Sequence, residues 1–350
     1  MMFRKRIPPG CGQWAAPIIM LLLLLLGIVA GALIVGSVLQ PHVHLDDGTV
    51  WVTSSKDRKA ARFNVRIREA DADVSSSSMR FDIVQRDGDT VILEDDEARY
   101  IKASTVNEDG TAAITTDVQT LVGANTIAFI NTKTGNVWTG VPSNLGSVNL
   151  SASPRMQLGS GGRIAVTHDG AIYGYQQSDG AIMTMREPWS TPEKVAEIEA
   201  GQRLQADSFT MVDGTPVITS GNTIYWPNGS AEISMQGRLT LQSPPTDGRQ
   251  SGWVAAASQY GLVTVDLKAA NPTPLEISNS GRGEPAQPSS TNGCVHAAWS
   301  QNANNYLRVC SAFDGNPQFT SLRNVNATSQ LVFRTNHRLT VLNDVVDGGV

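Results

Sequence analysis

The sequence predicts an all-β fold, a β-propeller of eight blades, or seven if the terminal units share one, set behind a single N-terminal transmembrane helix. Three observations predict it: a long apolar run near the start, a short β-branched segment that recurs at nearly constant spacing, and no sustained helical period after Leu39.

The apolar run comes first. From Ala15 to Leu39 the chain reads AAPIIMLLLLLLGIVAGALIVGSVL, and no charged residue falls between Arg6 and His42. That length crosses about 30 Å of hydrocarbon, and Leu21 to Leu26 alone favour insertion by about 3 kcal/mol. Arg4, Lys5 and Arg6 precede the run, whereas the first charges after it are Asp46 and Asp47. The positive-inside rule then keeps the short basic end in the cytoplasm and exports the bulk. The run is longer than a usual signal-peptide core and no Ala-x-Ala site follows it, which favours a retained anchor over a cleaved signal. The expected organisation is a cytoplasmic tail at 1–14, a signal-anchor helix at 15–39 and an extracytoplasmic propeller at 40–350, a single-pass protein of the cell membrane. Trp14 suits the bilayer interface, and Gly27 with Gly31 forms a small-xxx-small pair of the kind that lets two helices approach.

Charge bounds the partners. Three of the 27 Lys and Arg precede the helix and all 32 Asp and Glu follow it, so the exported part carries 24 minus 32, a formal −8. Such a balance argues against nucleic acid or anionic lipid as a ligand.

The repeat supplies the architecture. GTVWVT, DTVILE, NTIAFI, GRIAVT, TPVITS, GWVAAA, GCVHAA and QLVFRT superpose on Val50, Val91, Ile127, Ile164, Val217, Val254, Val295 and Val332. The intervals are 41, 36, 37, 53, 37, 41 and 37 residues, a period that points to propeller blades. Most copies are preceded by Gly, Asp or Asn, and a second strand usually follows a polar turn: AARFNV, ARYIKA, NVWTGV and AIYGYQ. Strands that alternate with turn residues are the hairpin signature. About 38 residues hold three or four short strands, and closing such units into a ring removes exposed sheet edges. The 53-residue interval contains MREPWSTPEKVAEIEAGQRL, which reads as an insertion of about 15 residues decorating one blade. Two β-sandwiches joined there are the alternative. The last unit is short: VVDGGV resembles the opening DDGTVWV, so that it either closes the ring or fronts a longer protein.

Cysteines are few and well placed. Cys294 and Cys310 are the only two beyond the anchor, and they flank a strand, the polar turn SQNANN and a second strand. That spacing sets them across one hairpin, where an oxidising exterior favours a disulfide. No C-x-x-C or nearby His pair suggests metal or redox chemistry instead. Cys11 lies at the cytoplasmic edge of the anchor.

The poly-Leu anchor, HLDDGTVWVT, the CVHAAW…LRVC pair and FRTNHRLTVLNDVVDGGV together resemble the amino-terminal part of membrane-anchored surface proteins of high-GC Gram-positive bacteria that carry immunoglobulin-like or fibronectin type III repeats. The resemblance covers essentially the whole chain. It implies a cell-surface propeller region ahead of sandwich repeats, none of which is present here, and it implies no catalytic residue.

Catalytic and metal patterns are sparse. No Walker loop, G-x-G-x-x-G, G-x-S-x-G or H-E-x-x-H occurs. His42 and His44 with Asp46 and Asp47 could meet a metal at the membrane surface, but a His-x-His pair on a strand is more often a solvated face. His168, His296 and His337 are isolated in sequence. Glu94 to Glu97, and Asp71 with Asp73, read as solubilising turn residues, since a calcium loop needs further oxygen ligands and a glycine. Trp51, Trp138, Trp226, Trp253 and Trp299 fall in or beside strands, where packing between blades is the plain account. The expectation is therefore a non-catalytic scaffold, with no cofactor and no metal, that presents its ring to a protein or cell-wall ligand. The alternative is an extracytoplasmic enzyme, a glycoside hydrolase or quinone-cofactor dehydrogenase, with convergent groups on the ring axis.

Overall fold

The computed structural model describes residues 48–350 apart from 104, 200–202, 247–251, 279–282, 302–303, 311–315 and 324. The basic tail, the expected anchor and the His42, His44, Asp46 and Asp47 group lie outside the described residues. Among the described residues no helix is long and apolar enough to cross a membrane, and Pro142–Ser147 forms a short 3-10 turn.

The strands all pair antiparallel. A three-stranded sheet (residues 49–75) is followed by six four-stranded sheets at 82–113, 118–157, 163–197, 208–232, 240–278 and 289–320, and a two-stranded hairpin at 331–344 comes last. These are seven blades, numbered here 1 to 7 in chain order, with a closing hairpin between blade 7 and blade 1.

Alternation along each strand builds the ring. On Thr49–Ser54, Val50 and Val52 pack against Val341 of the hairpin, whereas Trp51 turns to Ile83 and Ile92 of blade 2. On Trp253–Ser258, Val254 and Ala256 face blade 5, while Trp253, Ala255 and Ala257 face Val295 and Trp299 of blade 7. A strand whose two faces are both buried in this way reads as a continuous apolar run. Trp51, Trp226, Trp253 and Trp299 are all buried in such seams, as expected, and Trp138 is half-buried with its Nε1 donating to the Ala152 carbonyl at 2.8 Å. Each fully buried aliphatic side chain contributes about 2 kcal/mol.

The repeat positions fall into two classes. Val91, Ile127, Val217, Val254 and Val295 lie on the second strands of their blades, but Val50 lies on the first described strand of blade 1, Ile164 on the first strand of blade 4 and Val332 on the first strand of the hairpin. The buried Ile172, on the second strand of blade 4, is the true equivalent of Ile127 and Val217. With it the spacing on either side becomes 45 and 45 residues. The expected insertion is therefore not one: Glu193–Glu197 within it is the fourth strand of blade 4. GRIAVT and AIYGYQ are successive strands of one hairpin, and a period-2 apolar pattern does not tell first from second. The eighth repeat, at Val332, makes two strands rather than a full blade.

Closure of the ring rests on side chains. Blade 1 uses the Val50, Val52 and Ser54 backbone toward its own second strand, consistent with Val65 N donating to Gly48 O at 3.0 Å, so Thr49, Trp51 and Thr53 turn theirs inward. No fourth strand meets them among the described residues. Gln85 Oε1 accepts from Trp51 N (2.9 Å), Asn343 Oδ1 accepts from Thr53 N (2.9 Å), Asn343 Nδ2 donates to Thr53 O (3.0 Å) and Asn336 Nδ2 donates to Thr49 O (3.1 Å). Three amide side chains thus stand in for a strand. Arg334, itself buried, adds bonds from the hairpin to Ile83 O (2.8 Å) and Thr53 Oγ1 (3.1 Å) and an ion pair to Asp82.

Candidate functional site

The first strands of blades 2 to 7 and of the hairpin surround an axis, and their turns into the second strands gather at one end of it. Asp213–Gly214 and Asn292–Gly293 both carry positive φ at the two central residues (51° and 77°, 54° and 74°), the geometry that matches strand twist in a two-residue hairpin. Asp87, Asn125 and His337 also take left-handed φ at the equivalent turns. Adjacent turns are tied together: Asp87 N donates to Asn336 Oδ1 (2.9 Å), Asn292 Nδ2 to Arg338 O (3.0 Å) and Ala124 N to His168 O (3.4 Å).

A cavity of about 250 Å³ lies on the axis at this end. Its walls come from blades 1 to 4 and the hairpin, and its titratable lining residues are Arg86, His168 and Arg334. A strap from blade 6, residues 243–246 with Pro244 and Pro245, crosses it. Thr246 O accepts from Arg86 Nη1 of blade 2 at 2.9 Å, and Thr246 Oγ1 donates to His337 O at 2.9 Å. Blades 3, 4 and 5 stand between blades 2 and 6 on one side of the ring, so this link spans the axis. Two prolines suit such a segment, which pairs with no strand and needs few N–H partners.

Charge at the strap is compensated locally. His337 Nε2 lies 2.9 Å from Asp87 Oδ1, and Arg86 Nε lies 3.5 Å from the same oxygen. Burial pushes the Arg86 guanidinium below its ordinary pKa, opposed by Asp87 and Asp169. Both arginines of the cavity are thus committed, Arg86 to the strap and Arg334 to closure.

The structure brings some of the isolated residues together and leaves others apart. His168 and His337 reach the same end of the axis, one lining the cavity and the other behind it through Asp87. His296 sits on blade 7, where its Nδ1 shares a 2.7 Å hydrogen bond with the Tyr306 hydroxyl, and burial followed by Arg308 pushes its pKa down to about 4. Cys294 and Cys310 stand directly opposite on neighbouring strands of blade 7, Cα atoms 4.0 Å apart, and form the disulfide. Among the described residues no group of three or more His, Cys, Asp or Glu gathers as a metal site.

Glu94 departs from the expected solubilising role. It is buried, and its carboxylate accepts from Ser76 Oγ (2.6 Å), Ser77 N (2.9 Å) and Ser77 Oγ (3.0 Å) with Arg99 Nη2 at 3.1 Å. Burial raises its pKa, but the serine bonds and Arg99 outweigh that and hold the carboxyl below its ordinary value. The serine run at 75–78 is therefore a wrapping for this anion, which fastens the end of blade 1 to blade 2. Asp71 and Asp73 instead pair across blade 1 with Arg62 (2.7 Å) and Lys59 (2.8 Å).

Sequence reasoning missed the strap, the Arg86, Asp87 and His337 set and the three capping amides. The Asp-Gly and Asn-Gly pairs before second strands were the available signal for the turns. Nothing local marks Gln85, Asn336 or Asn343.

No protein-family profile and no curated protein sequence matches this chain. Solved β-propellers share its fold. BamB from Moraxella catarrhalis superposes with a TM-score of 0.55 at 13% identity over 87% of this chain and 90% of that one. AztD from Citrobacter koseri gives 0.51 at 10% over 87% and 89%. KlAtg21, solved in complex with the coiled-coil of AgAtg16, gives 0.53 at 11% over 86% and 97%. At these identities the likeness is one of fold. The likeness to immunoglobulin-like and fibronectin type III surface proteins finds no matching profile, and the described domain is a propeller throughout.

Proposed function

We propose that the chain is a non-catalytic binding scaffold of the extracytoplasmic side of a cell membrane, held by the helix at 15–39 and presenting its propeller to a protein ligand. The strapped axis carries this reading. The cavity that an axial enzyme would use is about 250 Å³, below the usual range of ligand pockets, and its two arginines hold the strap and the closure. The outer faces are then the working surfaces, with Trp189 exposed on blade 4 as one apolar contact point. The KlAtg21 complex supplies one propeller of this shape with a protein bound.

Two measurements test the reading. Protease added to intact cells should degrade the propeller, and a domain that survives until lysis overturns the orientation. A photo-crosslinker placed at Trp189 should capture the same protein from the cell surface in the parent and in His168→Ala. A ligand lost with His168→Ala moves function to the axis and favours the enzyme, and retention on purified cell wall with no protein captured makes the ligand a polymer.

A further inference from the structure

Blade 7 carries its disulfide at one end of a hairpin. Cys294 opens the second strand, Cys294–Ala298, and Cys310 closes the third, Tyr306–Cys310, directly opposite. The two sulfurs differ in their surroundings. Cys294 is buried, and Thr291 of the first strand pairs beside it. Cys310 is half-buried, and the fourth strand, Gln318–Thr320, pairs with the third only from Tyr306 to Arg308. Among the described residues no strand therefore covers the outer side of Cys310, and a group approaching from that side meets it before Cys294.

Arg308 marks the other sulfur. Alternation sets Arg308 and Cys310 on one face of the third strand, and Cys294 and His296 on the same face of the second. Arg308 is exposed, and its Nη2 donates to the diagonal neighbour Cys294 Sγ at 3.4 Å. Its partners across the sheet are His296 and Gln318, neither of them acidic, and it forms no ion pair with a described residue. A disulfide sulfur is a weak acceptor, whereas a thiolate takes a charge-assisted bond from a guanidinium. The contact thus does little for the closed bridge and much for an open one in which Cys294 holds the charge.

We propose that Cys294–Cys310 is a thiol–disulfide exchange site, opened by a dithiol that attacks Cys310 and displaces Cys294. One thiolate of the dithiol bonds to Cys310 Sγ as the Cys294–Cys310 bond breaks, and the electron pair leaves on Cys294 Sγ beside Arg308. The second thiolate of the dithiol then attacks its own sulfur in the mixed disulfide, which closes the dithiol into a disulfide and releases Cys310. Two electrons pass from the dithiol to the bridge, and the dithiol's two protons balance the two new thiols. Opening removes a cross-link of sequence separation 16 and leaves the ladder from Val295 to Ala298 in place, so blade 7 loosens at one end without coming apart. The site goes beyond the scaffold reading, and purified protein tests it whichever ligand the propeller takes.

The test uses full-length protein in detergent micelles, with dithiothreitol as the probe dithiol in native buffer. Maleimide labelling and intact mass should show two new thiols, formed at a rate proportional to dithiothreitol concentration while circular dichroism stays unchanged. Arg308→Gln, at an exposed position, should slow opening about fivefold, and Arg308→Lys, which keeps the charge, should restore most of the rate. Glutathione has no second thiol, so its adduct should remain on Cys310, as read by peptide mass after an acid quench. A rate independent of dithiothreitol concentration means that the bridge opens only with the whole fold and overturns the proposal. So does Arg308→Gln that opens as fast as the parent, and so does an adduct found on Cys294. Crosslinking from Trp189 reads blade 4 in cells, so its failure and the failure of this site are separable.

Discussion

Asn343→Leu is the sharpest probe of how the ring is held. The side chain is fully buried, and its amide both accepts from Thr53 N and donates to Thr53 O, joining residues 290 apart in sequence. Leucine keeps the volume and removes both functions. Thr53 is buried as well, so its N–H and C=O are left without partners and without water. Each such group costs between about 1 and 3 kcal/mol, which puts the loss at about 4 kcal/mol. Urea denaturation of the full-length protein measures the loss, and hydrogen exchange at the Thr53 amide locates it. Asn343→Asp keeps an acceptor for Thr53 N but sets a carboxylate oxygen against Thr53 O at a buried site, so a loss at least as large is expected. A change below about 1 kcal/mol for Asn343→Leu, with the Thr53 amide still protected, would refute the view that amides replace a strand at this edge.

Three further outcomes follow from buried chemistry elsewhere. Replacing both Cys294 and Cys310 by Ser opens a loop of sequence separation 16 and should cost about 3 kcal/mol in denaturant; two free thiols by intact mass in protein from the membrane fraction would remove the bridge itself. His296 is neutral in the fold, with its pKa lowered from 6.5 to about 4, so its contribution is complete above pH 6.5 and is lost as pH falls toward 4, by up to about 3 kcal/mol. His296→Gln should flatten thermal stability across that window, and an unchanged profile would contradict the assignment. Glu94 is held below its ordinary pKa of 4.5, so its stabilisation is present above that value and lost as pH falls through the folded one. Glu94→Gln should lower Tm at neutral pH and shrink the fall in Tm below pH 4.5; parallel curves for parent and variant would rule the ion out as a fastener.

Strand content and ring form were legible because both are local. Second strands announce themselves through short β-branched runs after a Gly, Asp or Asn turn, and Val91, Ile127, Val217, Val254 and Val295 all fell on them. The slip at Ile164 shows the limit, since two strands of one hairpin carry the same alternation and a repeat can lock onto either. Blade number was blurred for a related reason, because a repeat unit marks the start of a sheet and not its width. The disulfide was legible from one hairpin of spacing. Site chemistry was not, because Arg86 meets Thr246 across 160 residues and Asn343 meets Thr53 across 290, and such meetings are set by the ring rather than by neighbours in sequence. Glu94 looked like surface for the same reason: the serines that bury it arrive from the preceding blade.

The amide clasp also dictates an order of events. Each blade is a set of local hairpins that form early, whereas Thr53 must wait for Asn343. Until then the inward edge of Thr49–Ser54 stands open. Blade 1 is made first and finished last, and the interval between is the period in which a stray strand could take the vacancy. Short polar side chains suit a fastening of that kind, because they complete the edge on arrival without a new strand having to thread into a ring already built.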